Sequence, residues 1–405
     1  MAADSPNSAI NALGTVLGYI GAEAATSATF ARLLWPQRAY SHLGFIRSTQ
    51  LALLKPAGGS LYKAVLEALD SVHQHGLFRG QKQGHMLGSP FFPDSRCEYT
   101  SHSGSKSLPS YCEASRNNLW VRVIALMPFQ QSIAHSKEGR DAEKASGQTQ
   151  CPVRAQVVVR YVKLRVVKVA KGSGRAPMTV HHDCKAWSLD VLIGTTMTEL
   201  SGIMAAAMVA FIWKSWFAIL WVVPLALKLL SAGVSLQREP LDLTATDLLQ
   251  EKAQDFEVHL PATSGTFLLI SGPPSLVLQF FRHYGHPKRD STRETIQLVV
   301  IITLGLFFPF SLLCSVAWMP TSVQYVWLVY QMYVVGAMYI SRYLGVGTLI
   351  STEAGIASML VRSEGFTSLW EDGEHGLVVE GALESNFLTR YGEGQAYVRS
   401  LLKHR

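Results

Sequence analysis

The chain has 405 residues, 48% of them hydrophobic and only 16% charged, with a formal net charge of +7. Charged residues fall well below the roughly one quarter usual in soluble domains. The deficit is concentrated in a few stretches, which argues against a uniformly soluble chain and for membrane-embedded segments beside ordinary ones. In such a chain a basic excess reads as cytosolic flanking charge rather than as a nucleic-acid surface, and no nucleic-acid partner is expected.

Cys97, Cys112, Cys151, Cys184 and Cys314 form no CxxC pair. An odd, scattered set argues against a secreted disulfide framework and fits a reducing compartment. Asn-x-Ser/Thr sequons are absent from the sequence, so nothing marks a glycosylated lumenal loop.

The N-terminus, "MAADSPNSA", carries an acid and no basic region and does not read as a signal peptide. Residues 1–83 read as an N-terminal helical region, associated with membrane or packed against protein. Gly14 and Gly18 form a GxxxG, which lets two helices approach closely, while Glu23 and the polar "TSAT" disfavour a spanning helix. Residues 84–150 are rich in Ser, Gly, Pro and scattered charge and read as a flexible linker. Within it only "LWVRVIALMPF" (Leu119–Phe129) has the composition of a buried element.

Residues 151–190 read as a basic, β-rich cytosolic segment. "AQVVVRYVKLRVVKV" (Ala155–Val169) interleaves β-branched residues with Arg160, Lys163, Arg165 and Lys168. That pattern predicts a strand with a basic face, solvated or touching anionic lipid. The following "KGSGRAP" lacks the helix a phosphate loop requires. "VHHDC" sets His181, His182, Asp183 and Cys184 side by side, all residue types that can bind metal. Adjacent side chains rarely converge on one ion, and a second ligand group at zinc spacing is missing, so no metal and no cofactor is expected. "HQH" (His73–His75) carries less still.

Residues 191–236 contain an apolar stretch interrupted by Lys214 and Lys228, with Glu199 at its start. It reads either as one crossing, about Phe211–Leu230, or as a hairpin turning near "WKSW". The basic flanks before it and before the next apolar run favour the hairpin, because both then lie in the cytosol. Glu199 and Lys214 are candidates for polar groups inside the membrane. Residues 237–294 read as a cytosolic α+β segment. "DFEVHL" and "GTFLLIS" read as strands joined by "PATS", and a helix too short to cross a bilayer starts at Pro273 or Pro274.

Between Glu294 and Arg342 there is no Asp, Glu, Lys or Arg. As one helix this run would extend about 70 Å at 1.5 Å per residue, whereas a bilayer core is about 30 Å thick. The run, 295–341, therefore predicts a transmembrane hairpin broken at Pro320, with spans at about Thr295–Met319 and Val323–Ile340. Trp318, Tyr325 and Trp327 are expected at the membrane interface, and Gln331 within the membrane. Arg282, Lys288, Arg289 and Arg293 before the run, and Arg342 after it, place its ends in the cytosol. Residues 342–405 read as a cytosolic C-terminal region ending in a short amphipathic helix, "GQAYVRSLLKHR".

The expectation from these elements is an α-helical multi-pass membrane protein with a small α+β cytosolic region, long flexible loops and cytosolic termini. A P-loop, GxSxG, HExxH or dinucleotide fingerprint does not occur in the sequence. A structural or adaptor role is favoured over an enzyme. A transporter or channel subunit acting as a homo-oligomer and a membrane-bound lipid-modifying enzyme are the alternatives. "GPPSLVLQFFRHYGHP" and "LFFPFSLLCSVAWMPTSVQYVWLVYQMY" together resemble predicted multi-pass membrane proteins of filamentous fungi that lack an assigned activity. The resemblance covers the last third of the chain, implies a eukaryotic membrane and carries no functional residues.

Overall fold

A computed structural model gives the fold. It describes residues 6–24, 33, 36–40, 44–55, 61–75, 97–102, 112–115, 119–127, 157–168, 188–237, 239–243, 248–260, 265–282, 284, 288, 290–345, 352–372 and 376–403. In chain order the elements are α1 (Pro6–Ala24), α2 (Pro36–Tyr40), α3 (Phe45–Leu54), α4 (Tyr62–His75), β1 (Glu98–His102), β2 (Cys112–Ala114), α5 (Leu119–Leu126) and β3 (Val157–Lys168). There follow α6 (Leu189–Thr198), α7 (Leu200–Ile212), a 3₁₀ turn (Trp216–Ala218), α8 (Ile219–Gly233), β4 (Gln254–His259), β5 (Thr266–Gly272) and α9 (Pro274–Arg282). The last are α10 (Ser291–Ala317), α11 (Thr321–Tyr343), α12 (Thr352–Arg362), β6 (Thr367–Asp372), β7 (Leu377–Leu388) and α13 (Tyr391–Lys403).

The chain divides into two compact units, each discontinuous in sequence. The helical unit takes residues 1–93, 181–240 and 286–352; the sheet unit takes 94–180, 241–285 and 353–405.

In the sheet unit seven strands run in the order β2-β1-β4-β5-β3-β7-β6. Every neighbouring pair is antiparallel except β3–β5, which is parallel. Alternation along the strands gives the sheet two faces. One face carries Val162, Leu164, Phe256, Val258, Leu268 and Ile270 beneath α5, α9 and α12, with Trp120, Val123, Phe280, Phe281, Ile356 and Leu360 filling the layer. Trp120, Phe280 and Trp370 are locked edge-to-face or tilted, with centroids 4.8–6.2 Å apart. The other face is covered over Val159, Tyr161 and Leu269 by α13 through Val398. Gly394 permits that approach: a Cβ there would stand 2.5 Å from the Phe267 ring. Since helices cover both faces of its first half, β3 is buried without interruption from Val157 to Val162, which explains its lack of alternation.

In the helical unit, α1 lies against α10 and α11 through its small residues, with Gly14 facing Leu312 and Trp327 and Gly18 facing Phe308. The apolar run breaks at Trp318–Pro320, where α10 ends and α11 begins. Gln324 secures the turn, its Nε2 donating to the carbonyls of Ser315 (2.7 Å) and Met319 (2.9 Å). The earlier apolar stretch turns at Trp213–Ser215, where Lys214 takes a left-handed φ of 47°. At the start of α10, Asp290 accepts from the amides of Thr292 and Arg293 while Glu294 accepts from Asp290 N, a reciprocal cap.

The expected fold class is corrected by two findings. A seven-stranded mixed sheet organises one unit, where a small α+β region was anticipated. Among the described residues only two helices, Trp216–Gly233 and Ser291–Ala317, are long and apolar enough to cross a membrane, so a multi-pass helical architecture is not supported. α11 has the length but not the composition, because Gln324, Gln331 and five tyrosines dilute its aliphatic residues. α6 and α7 are bent by 58° at their junction and pass only if taken together.

Truncating Phe280, fully buried among Trp120, Tyr284 and Trp370, is expected to cost about 3–5 kcal/mol. Denaturant unfolding of Phe280→Ala in detergent, followed by near-UV circular dichroism, measures it.

Candidate functional site

Helices of the helical unit turn large apolar side chains outward and bury several polar ones. In α10 the exposed large apolar residues are Val299, Leu306, Phe310, Leu313 and Val316, at spacings of three, four and seven, with Thr295 and Thr303 exposed among them. Its buried side holds Glu294, Gln297, Ser311 and Ser315. α11 exposes Tyr325, Val329, Met332, Tyr333 and Ile340 while burying Gln324, Gln331 and Ser341. α7 exposes Met204, Met208, Phe211 and Ile212. A helix on a water-soluble core shows the opposite arrangement.

Several of the inward polar groups find partners inside the unit. Ser231 Oγ lies 2.7 Å from the Leu33 carbonyl and 2.9 Å from Gln297 Oε1, and Gln297 Nε2 donates to the carbonyls of Ser231 (2.8 Å) and Val234 (3.2 Å). Gln37 Nε2 donates to Ser235 Oγ at 3.0 Å. Glu199 sits at the bend between α6 and α7, 1% exposed, with its Oε1 2.7 Å from Nζ of Lys228 on α8. The pair ties the bent helix to its neighbour and neutralises both charges where water does not reach.

The sheet unit contains a cleft of about 310 Å³ between the β4–β5 strand ends and α13. Phe267 forms its floor with the backbone of Val258 and Thr266 beside it; Glu257 and His259 project next to Phe267, and Tyr391, Gln395, Val398 and Arg399 come from α13. Alternation along β4 puts Glu257 and His259 on one face. Glu257 Oε2 lies 3.3 Å from His102 Nε2, and His259 Nε2 lies 2.7 Å from Thr100 Oγ1. The His102 contact, helped by the charges of His259 and Arg399 and opposed by partial burial, holds the Glu257 carboxyl below its ordinary value.

The residues singled out in the sequence are dispersed. Trp318 and Tyr325 are exposed at and beside the α10–α11 turn, but Trp327 is 2% exposed and packs on Phe308 at 5.9 Å. Glu199 pairs with Lys228, whereas Lys214 is exposed at a turn. Gln331 is buried. Arg282 belongs to the sheet unit, where it forms an ion pair with Glu113 at 2.7 Å and donates to Tyr99 Oη. Arg293 pairs with Asp290 and donates to the Ser235 carbonyl; Arg342 donates to the Glu23 carbonyl; Lys288 is exposed. On β3 the basic residues divide by parity. Lys163 and Arg165 share a face and pair with Glu384 and Glu380 of β7. Arg160 and Lys168 have the other parity, and Arg160 is buried, donating to the Ile124 carbonyl at 2.6 Å. His181, His182, Cys184 and Arg289 lie outside the described residues.

The cleft residues escaped the sequence reading. Glu257 and His259 could have been noticed as two ionisable residues alternating in a strand, but Tyr391, Gln395 and Arg399 lie over a hundred positions away, and only the packing of α13 brings them there. No protein-family model, curated protein or solved structure matches the chain.

Two outcomes follow from this geometry. Lys228→Met should destabilise by about 3–5 kcal/mol by leaving Glu199 buried and unpaired, and adding Glu199→Gln should recover most of it; thermal unfolding in detergent reads both. Because the folded Glu257 carboxyl titrates below its unfolded value, about 4.3, its contribution is complete above that value and disappears as pH falls through the folded one. The acid limb of unfolding midpoint against pH should therefore flatten in Glu257→Gln.

Proposed function

We propose that this chain is a membrane-anchored adaptor whose helical unit is embedded in lipid and whose sheet unit is presented in the cytosol for binding rather than catalysis. The observation that carries the reading is the exposed apolar face of α7, α10 and α11 beside buried polar groups of the same unit. Burying Gln297, Ser231 and the Glu199–Lys228 pair while exposing Phe211, Leu306, Phe310, Leu313 and Val329 is unfavourable in water. It is favourable in hydrocarbon, where apolar faces meet acyl chains and polar groups must bond one another. Two helices with the length and composition to cross a membrane agree with it.

Sheet connectivity adds a constraint. β3 is hydrogen-bonded to β5, which precedes residues 286–352, and to β7, which follows them. Strands of one sheet lie on one side of a bilayer, so the stretches 181–240 and 286–352 each begin and end on the side that holds the sheet. The basic residues of 154–175 support the cytosol as that side.

Alkaline carbonate extraction of expressing cells should leave the chain in the membrane pellet, with release only by detergent. Recovery as a detergent-free monodisperse protein would refute the reading. Leu306→Asp combined with Phe310→Asp should sharply reduce membrane recovery, since each charge at mid-bilayer costs about 2.5–3.5 kcal/mol on insertion scales.

A further inference from the structure

We infer that the cleft beneath α13 is a binding site for a small aromatic carboxylate. The inference stands on the sheet unit alone and does not depend on the membrane reading.

The cleft offers unused hydrogen-bond donors. Tyr391, Gln395 and Arg399 are spaced by four along α13, so they fall on one helical face, directed at the strand ends. Among the described residues, the Arg399 guanidinium, the Gln395 amide and the Tyr391 hydroxyl have no hydrogen-bond or ion-pair partner. His259 uses only Nε2, toward Thr100. On the acceptor side there is one carboxylate, Glu257, whose Oε2 meets His102 and whose charge is felt by Arg399. Donor side chains outnumber the single carboxylate in the cleft, and an anionic ligand matches Arg399, whose fork of N–H groups suits a carboxylate in bidentate geometry.

The remaining surface selects the body of the ligand. Phe267 and Tyr391 stand with ring centroids 4.8 Å apart, tilted by 43°, beside Val398. This is an aromatic and aliphatic wall on which a flat ring lies with little desolvation cost. At about 310 Å³ the cleft is at the small end of ligand pockets, which run from about 300 to 1,000 Å³. It therefore suits one ring and its acid rather than a nucleotide or a lipid chain. Gly394 keeps the wall in place, because any side chain there would push α13 off Phe267.

Fluorine NMR of the full chain in detergent micelles tests the site, with 4-fluorobenzoate as the probe and 4-fluorobenzylamine as the control of opposite charge. The expected result is saturable broadening of the benzoate signal at millimolar concentrations, reversed by unlabelled benzoate, and weaker or absent broadening of the amine. Arg399→Ala, at an exposed position, should weaken benzoate binding about tenfold, the loss expected for a charge-assisted hydrogen bond. Arg399→Lys should restore part of it. Absence of saturable broadening, stronger binding of the amine, or benzoate binding undiminished in Arg399→Ala would each overturn the inference.

Discussion

The backbone pairing of β3 is the constraint on which the sheet unit depends. Its twelve residues bond β7 along their whole length on one edge and β5 in parallel on the other. Both partners come from later stretches of chain, with 181–240 before β5 and 286–352 between β5 and β7. Sheet hydrogen bonds do not stretch: neighbouring strands lie about 4.8 Å apart. Whatever the helical stretches do, the chain must therefore come back to lay β5 and β7 beside β3. This closure makes one sheet out of three separated pieces and ties the topology of the helical stretches to that of the strands.

Within the helical unit a second constraint governs side-chain placement. Backbone and side-chain polar groups removed from water have to be satisfied by one another. Gln324 occupies carbonyls at the end of α10, Gln297 occupies those of Ser231 and Val234, and Lys228 meets Glu199 at the helix bend. Polar residues in the apolar sequence are thus used to join helices to one another. Aliphatic and aromatic residues lie both inside, as at Trp221, Phe308 and Trp327, and on the outer faces, whereas in the sheet unit Trp120, Phe256, Phe280 and Phe281 are inside.

That difference also explains which expectations held and which did not. β4, β5 and α9 are visible in "DFEVHL", "GTFLLIS" and "PSLVLQFF", because local alternation, a short loop and a proline start suffice to define them. β1 and β2 are short and set among Ser, Gly and Pro residues, and β7 is interrupted by Gly381 and acidic residues. Their strand state comes from pairing with distant partners, and local propensity does not register that. The basic face expected on β3 illustrates the same point. Residues 160, 163, 165 and 168 are close in sequence, but the strand period of two separates them, and β7 supplies glutamates to the two on one side.

Composition alone determined that this chain has long charge-free stretches, that the longest must break near Pro320, and that a basic β-rich strand lies before them. These follow from properties local to a segment: the absence of charge, the missing amide of proline, and the preference of β-branched residues for extended backbone. Tertiary structure decided the rest. It assembled the mixed sheet from three stretches, turned Trp327 inward, matched Glu199 to Lys228 rather than Lys214, and carried Tyr391, Gln395 and Arg399 to Glu257 and His259. Each of these is a pairing between distant positions, set by packing and by the need of buried polar groups for partners, and neither acts within a window of neighbouring residues.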